Sequence, residues 1–461
     1  MRRDTIPTEP MEPMDPMSVT RTTPTRHPEW LESLYERLAE DDEGRTCKEI
    51  SAEACHETPG NFLHTLIANT LSNIADRLAS AKTTLPWLLL QLGAPAWMLS
   101  LLVPIRESGS MLPQILIGEI VRRQAIRKWV WVWGGVVQGL SLAAIGWVAF
   151  ALEGATAGAA VIGLLILFSL ARGACSVAYK DVQGKTIPKT RRGRLSGWIS
   201  AIAGLGAMGV GLGLGAVQDG AESTGLYVAL LAGAAILWLL AAWSFSRIVE
   251  FPGATEGGSN ALAEAVARLA ILRDDAPFRQ FVIARALAMG SGLAAPFYVA
   301  LARDDLGGAI SLLGIFIAVE GLAGLVSSPV WGRWSDHSSR QVFAAACGLA
   351  AVLSIAVALW SWLAMSSAAA IWFYPIAFFG LGIAHAGVRL GRKTYLVDMA
   401  EGNKRTDYVA VSNSVIGALL LVSGLLGALA ATVSVEATIL LLGLAGLVGS
   451  ALSLRWKEVS G

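Results

Sequence analysis

Charge is what this chain has least of. Only 15% of its 461 residues are Asp, Glu, Lys or Arg, against about 25% in soluble domains. The formal net charge is +1, so there is no basic footprint for nucleic acid. Cysteine is scarce too. Cys47, Cys55, Cys175 and Cys347 do not make a disulfide framework. Cys47, Cys55 and His56 lack the paired spacing of a zinc site, so that segment reads as an ordinary reduced cytosolic stretch and no metal is expected. Cys175 and Cys347 lie in apolar runs and read as small packing residues. No phosphate-cradling G-x-x-x-x-G-K-[ST] loop occurs, because Gly184-Lys185-Thr186 lacks the earlier glycine. No Ser/His/Asp set and no cofactor fingerprint stands out, which argues against an enzyme and against ATP as the energy source. Residues 1–26 have no apolar core, so no cleaved signal peptide is expected.

What the chain has instead is apolar length. Hydrophobic residues make up 54% of it, with a mean hydropathy of +0.55. After Gly60 come twelve apolar runs, near 62–92, 96–118, 129–150, 157–179, 195–217, 225–247, 278–302, 309–332, 341–364, 369–391, 408–432 and 434–455. A bilayer takes about 20 apolar residues per helix, and backbone in lipid must satisfy itself internally. The expected fold is therefore all-α: a polytopic membrane protein of twelve transmembrane helices. Glycines such as Gly204, Gly211 and Gly215 would break a soluble helix, but in lipid they let helices approach closely.

The expected organisation has four parts. Residues 1–60 form a cytosolic extension, partly disordered, in which Pro28–Glu40 places Trp30, Leu31, Leu34 and Leu38 on one helix face. Residues 61–249 form one six-helix bundle, 250–277 a flexible cytosolic linker, and 278–461 a second bundle. Lys and Arg crowd the 2–3, 4–5 and 10–11 connections, while the opposite side offers almost only Arg303. This asymmetry places both termini in the cytoplasm.

Phe62–Leu92 is the most informative run. It is long enough to span, yet carries Asp76, Arg77 and Lys82 in its middle. A charge at the bilayer centre costs roughly 2.5–3.5 kcal/mol on insertion scales, so such groups need a partner or a wet cavity. Asn69, Asn73, Asp76 and Ser80 fall at helical spacing, making one polar stripe on an apolar rod.

The chain also repeats itself. Leu92-Gly93 recurs as Leu306-Gly307, and Gly118 as Gly332, each 214 positions on. Lys180 falls on Lys393, Arg192 on Arg405 and Gly204 on Gly417, each 213 positions on. Two six-helix halves in parallel repeat resemble the major facilitator superfamily. That family carries a signature after helices 2 and 8: Gly, then Asp four residues on, then basic residues. Gly332-Arg333-Trp334-Ser335-Asp336, with Arg340, is similar to the second copy. In the first copy, after Gly118, Arg122 stands where the aspartate belongs. The resemblance implies that helices 1, 4, 7 and 10 line a central cavity, and that Gly118, Arg122, Gly332, Asp336 and Arg340 form its gating motif.

The intramembrane charges fit that assignment. Arg106 and Glu107 lie about twelve residues from the cytosolic end of helix 2, roughly 18 Å deep, and Glu320 has the same depth in helix 8. The candidate cavity set is Asn73, Asp76, Arg77, Lys82, Arg106, Glu107, Arg172, Arg285, Glu320 and His385. Arg389, near the end of helix 10, reads as snorkelling to lipid phosphates. Such groups serve either as ion pairs locking the halves or as solute and proton sites. Proton couplers must change charge, which points to Asp76, Glu320, Glu107 and His385. Glu107 ranks lower because Arg106 and Glu107 point to different faces. Cations outnumber carboxylates, which favours an anionic solute.

The function expected is secondary active transport of a small solute by alternating access, coupled to protons, in a monomer of the inner membrane. A transport-inactive scaffold on the same fold is the alternative, suggested by Arg122.

Overall fold

The computed structural model describes residues 28–39, 52–112, 123–216, 224–253, 269–363, 367–399 and 404–459, with a few single positions between them. In chain order its helices are α1 (Glu29–Ala39), α2 (Ala52–His56), α3 (Thr58–Leu78), α4 (Thr84–Gln91), α5 (Leu99–Met111), α6 (Lys128–Ala151), α7 (Gly154–Thr186), α8 (Lys189–Gly215) and α9 (Thr224–Ser246), followed by α10 (Ile271–Asp274), α11 (Ala276–Leu287), α12 (Gly290–Leu293), α13 (Ala295–Leu306), α14 (Ile310–His337), α15 (Ser339–Trp362), α16 (Ser367–Met399), α17 (Lys404–Ala431) and α18 (Val435–Ser453). Local sequence sets several starts. Asp275 accepts from the Phe278 N–H at 2.9 Å to cap α11, and Ser434 accepts from the Ala437 N–H at 3.1 Å to cap α18. Large apolar side chains such as Phe150, Trp243 and Trp372 stay exposed on the perimeter, where lipid is the solvent.

Among the described residues ten spans are long and apolar enough to cross a membrane. The first two apolar runs fall outside that set, the second because α5 is described only as far as Leu112. The first is not one helix: α3 ends at Leu78, residues 79–83 turn, and α4 resumes at Thr84. The second begins with a short 3-10 turn at Ala96–Met98 before α5. The seventh crossing is interrupted as well, where α11, α12 and α13 are separated by short turns. Pro86 and Pro296 follow the two breaks and cannot donate the backbone bond that would bridge them. The breaks fall at equivalent places, with Ala79 and Gly292 lying 213 positions apart as Lys180 and Lys393 do. Gly93 (φ 71°) and Gly307 (φ 89°) turn the chain after these crossings at positive φ, so the repeat read from Leu92-Gly93 and Leu306-Gly307 also repeats the sign of φ.

The described chain begins and ends on one side, here called the near side. There α1 lies against the starts of α3 and α8. Tyr35 meets Phe62 edge-on at 5.4 Å, and both join Ala39, Leu66, Ile187, Leu195 and Ile199 in one buried cluster. Arg191 and Arg194 both donate to the Ala39 carbonyl, satisfying the orphan acceptors of a helix C-terminus. The docking face is thus Tyr35 and Ala39 with Leu38 packed beside them; Trp30, on the same periodic face as Leu38, is 62% exposed. Cys55 is disulfide-bonded, where the sequence suggested a reduced segment.

The stretch expected to open as flexible linker begins anchored. Glu250 accepts from the N–H groups of Arg127 (2.9 Å) and Lys128 (2.6 Å) at the start of α6 and from Lys185 Nζ of α7 at 2.8 Å. A carboxylate at a helix N-terminus is well placed against the helix dipole.

On the far side the first and last six crossings are pressed together. A Cβ on Gly211 of α8 would collide with backbone of Gly314 and Ala318 in α14, so only glycine permits this approach. Arg303 at the end of α13 donates to the Trp87 carbonyl at 2.9 Å and to Gln91 Oε1 at 2.5 Å. Towards the near side α8 and α14 part, and Gly193, Gly197 and Gly332 meet open space.

Candidate functional site

Between the two sets of crossings lies a cavity of about 260 Å³. Both interrupted crossings supply its wall: Asn73, Asp76 and Arg77 from α3, Ser80 and Lys82 from the first break, and Ser291 and Ala295 from around the second. Val103, Arg106 and Glu107 come from α5, Arg172 from α7 and Glu320 from α14. Helix α16 contributes Phe378, His385 and Arg389. A broken helix is tolerated in lipid where its free backbone groups line such a space.

Nine of the ten cavity candidates read from the sequence meet here, and Arg285 lines an adjoining compartment of about 50 Å³. Arg106 and Glu107 both reach the cavity. The sequence points them to different faces of the helix, and both nonetheless line the cavity. Arg389, expected to snorkel to lipid, is also in the wall. The reason is helix length. Helix α16 runs 33 residues to Met399, two turns past the expected span, so His385, Arg389 and Arg392 share one face of a helix rather than leading into a loop.

Partners divide the charges into two groups. Asp76 is held by two guanidinium groups: Arg106 Nη2 at 2.9 Å from Oδ1, and Arg172 on Oδ2. The Arg106 guanidinium also lies 4.5 Å from the centre of the Phe168 ring, a cation–π contact. These groups all belong to the first six crossings. Glu320, from the last six, accepts from Thr83 Oγ1 at 3.4 Å across the cavity. Ser291 Oγ lies 3.2 Å from His385 Nδ1. Arg77 rests on bare Gly324 of α14, where an added Cβ would lie 3.3 Å from its Nη2. Among the described residues the side chains of Arg77, Lys82 and Arg389 make no hydrogen bond or ion pair closer than 4 Å.

The far end of the cavity is closed by rings. Trp87 of α4 sits 6.3 Å from Phe316 of α14, which meets Phe378 of α16 edge-on at 5.0 Å. The place of Trp87 in this lid depends on rings from α14 and α16, far along the chain. In the gating motif, Asp336 is exposed and, among the described residues, has no hydrogen bond or ion pair. Arg340 instead pairs with Glu458 (3.2 Å) and donates to the Trp456 carbonyl (3.0 Å). Gly332 lies one turn before Asp336, while Gly118 and Arg122 lie outside the described residues.

Comparison with known proteins agrees with this geometry. The family model described as Major Facilitator Superfamily matches residues 280–461. A class E tetracycline resistance protein of Escherichia coli is 26% identical over 152 residues, which are 32% of this chain and 36% of that protein. The chain therefore spans about a third of that curated relative. Among solved structures, an inward-open xylose transporter XylE from E. coli superposes with a TM-score of 0.63 at 13% identity, covering 87% of this chain and 97% of that one. A POT family transporter in complex with 5-aminolevulinic acid gives 0.66 at 11% identity, covering 85% and 95%. At such identities the superpositions speak for the fold. With its interrupted first and seventh crossings and its repeat, the chain is an integral, multi-pass membrane protein, and its residues 280–461 match the major facilitator superfamily model.

Proposed function

We propose that the protein is a secondary transporter that moves a small anionic solute across the membrane by alternating access, coupled to protons. The observation that carries this reading is the cavity itself. It sits where two structurally repeated sets of crossings meet, is walled by both broken helices, and is sealed on the far side only. Five cations (Arg77, Lys82, Arg106, Arg172, Arg389) face three carboxylates (Asp76, Glu107, Glu320) among its described lining residues. That excess favours an anion. Both termini lie in the cytoplasm in this reading, so the open near side faces inward, and the working unit is a monomer in the plasma membrane.

Coupling falls first to Glu320. It is held by one hydroxyl across the interface rather than by a guanidinium, so a small displacement of either half changes its surroundings. Asp76, engaged by two arginines, holds the first six crossings together and comes second. Uptake into proteoliposomes tests the reading: a pH gradient should drive accumulation in the parent. Glu320→Gln should abolish accumulation and retain passive exchange. Accumulation indifferent to the gradient removes proton coupling, and no uptake or exchange of any anion in a broad panel removes the transport reading.

A further inference from the structure

The compartment beside the main cavity has an unusual balance of charge. It is lined by Lys82, Arg285, His385, Arg389 and Arg392, with Glu107 as its one carboxylate among the described residues. Arg285 is 5% exposed. Its Nη1 donates to Ser412 Oγ at 2.5 Å and its Nη2 to Asn413 Oδ1 at 3.0 Å, while Nε is buried with no partner. Both partners are neutral. They satisfy hydrogen bonds and leave the charge uncompensated, and another cation, Arg392, lines the same compartment. Two guanidinium groups at close quarters in a low-dielectric site repel one another, and a buried charge without a counter-charge is retained only at a cost. The contrast with Asp76 is direct: Arg106 and Arg172 share a carboxylate, and Arg285 has none among the described residues.

Resting on the transport reading above, we propose that this compartment seats an oxyanion group of the solute, a carboxylate or a phosphate, between Arg285 and Arg392, with the rest of the solute in the larger cavity. The size fits. A water needs about 10–15 Å³ of such space, so about 50 Å³ admits a compact acid group and excludes a larger body. Guanidinium presents a planar fork of donors that matches both candidate groups. Lys82 and Ser291 line both spaces, so a solute seated in the small one touches both breaks. Anion binding on α11 and α16 would thereby draw on Lys82 from the first six crossings, giving the solute different contacts in the two states, as a transport cycle requires.

The test is ligand-dependent melting of the purified full-length protein in detergent, with inorganic phosphate, succinate and uncharged xylose as probes. Phosphate or succinate should raise the melting temperature of the parent, and whichever does so names the acid group. Arg285→Gln and Arg392→Gln should weaken that response at least tenfold, Arg285→Lys should restore part of it, and Arg247→Gln, a charge loss on the outer surface, should leave it intact. Without ligand, Arg285→Gln should melt at or above the parent, because an uncompensated buried charge has been removed. A purely structural role predicts the opposite: a lower melting temperature with an unchanged anion response. That result, an equal response in Arg392→Gln, or no response of the parent to either anion overturns the proposal, and each leaves the uptake experiment to decide transport separately.

Discussion

Arg106 of α5 and Asp76 of α3 form an ion pair, 2.9 Å between Nη2 and Oδ1, in the wall of the central cavity. Arg172 holds the other carboxylate oxygen from α7, so one carboxylate ties three helices. Removing one member of a buried pair leaves the rest uncompensated, at roughly 3–5 kcal/mol. Asp76→Asn should therefore melt well below the parent in detergent, and Glu320→Gln, whose one contact is a hydroxyl, close to it. Matching melting curves for Asp76→Asn and the parent would show that the pair contributes little.

The far-side seal predicts a change of state rather than of stability. Gly314 packs on the backbone of Gly211, Leu214 and Gly215, and a side chain there forces α8 and α14 apart. Gly314→Val should make a cysteine at Asn73→Cys reactive to an impermeant maleimide from the far side, where the parent reacts from the near side alone. An unchanged sidedness refutes the seal.

Asp336 has no ion-pair partner among the described residues, so if it gates, its contribution is expected in the state closed on the near side. A carboxylate that meets a helix N-terminus on closure contributes about 0.3–1 kcal/mol when exposed and up to ~2 when partly buried. Asp336→Asn should speed labelling of the same Asn73→Cys reporter from the near side several-fold, whereas Arg122→Gln should change it little. Equal effects of the two substitutions count against an asymmetric gate.

The N-terminal extension is expected to add stability without deciding insertion. Deleting residues 1–50 uncovers the cluster of Phe62, Leu66, Ile187 and Leu195 and frees Arg191, Arg194 and Trp198 from the end of α1. Burial of a large apolar side chain is worth about 1.5–3 kcal/mol, so the truncated protein should reach the membrane folded and melt several degrees lower. Failure to recover any folded protein would mean that α1 is needed for assembly.

Glu250 should behave as a structural hub. Glu250→Ala strands Lys185 and two N–H groups of α6, each unsatisfied polar group costing about 1–3 kcal/mol. Lower melting than for Glu153→Ala, an exposed carboxylate on the opposite face, is the expected result.

Hydropathy and spacing made the all-helical membrane fold and the repeat legible, because lipid leaves the backbone no other way to satisfy its polar groups. The pair Gly93 and Gly307 could be read as equivalent from position, and their shared positive φ follows from the one residue type that adopts it without strain. The polar stripe through Asn73 and Asp76 was legible for the same reason: helical period is a property of the segment itself.

Tertiary structure alone decided where the charges are spent. Nothing in the run Ile105-Arg106-Glu107 says that Arg106 is committed to Asp76 while Glu107 stays at the junction of two compartments. Nor does Arg389-Leu390-Gly391-Arg392 say that both cations belong to a helix face beside Arg285. Those outcomes depend on where α16 ends and on which helices from opposite ends of the chain are pressed together. Coulomb energy varies with separation and with the medium between the charges, and for groups tens to hundreds of residues apart both are fixed by packing.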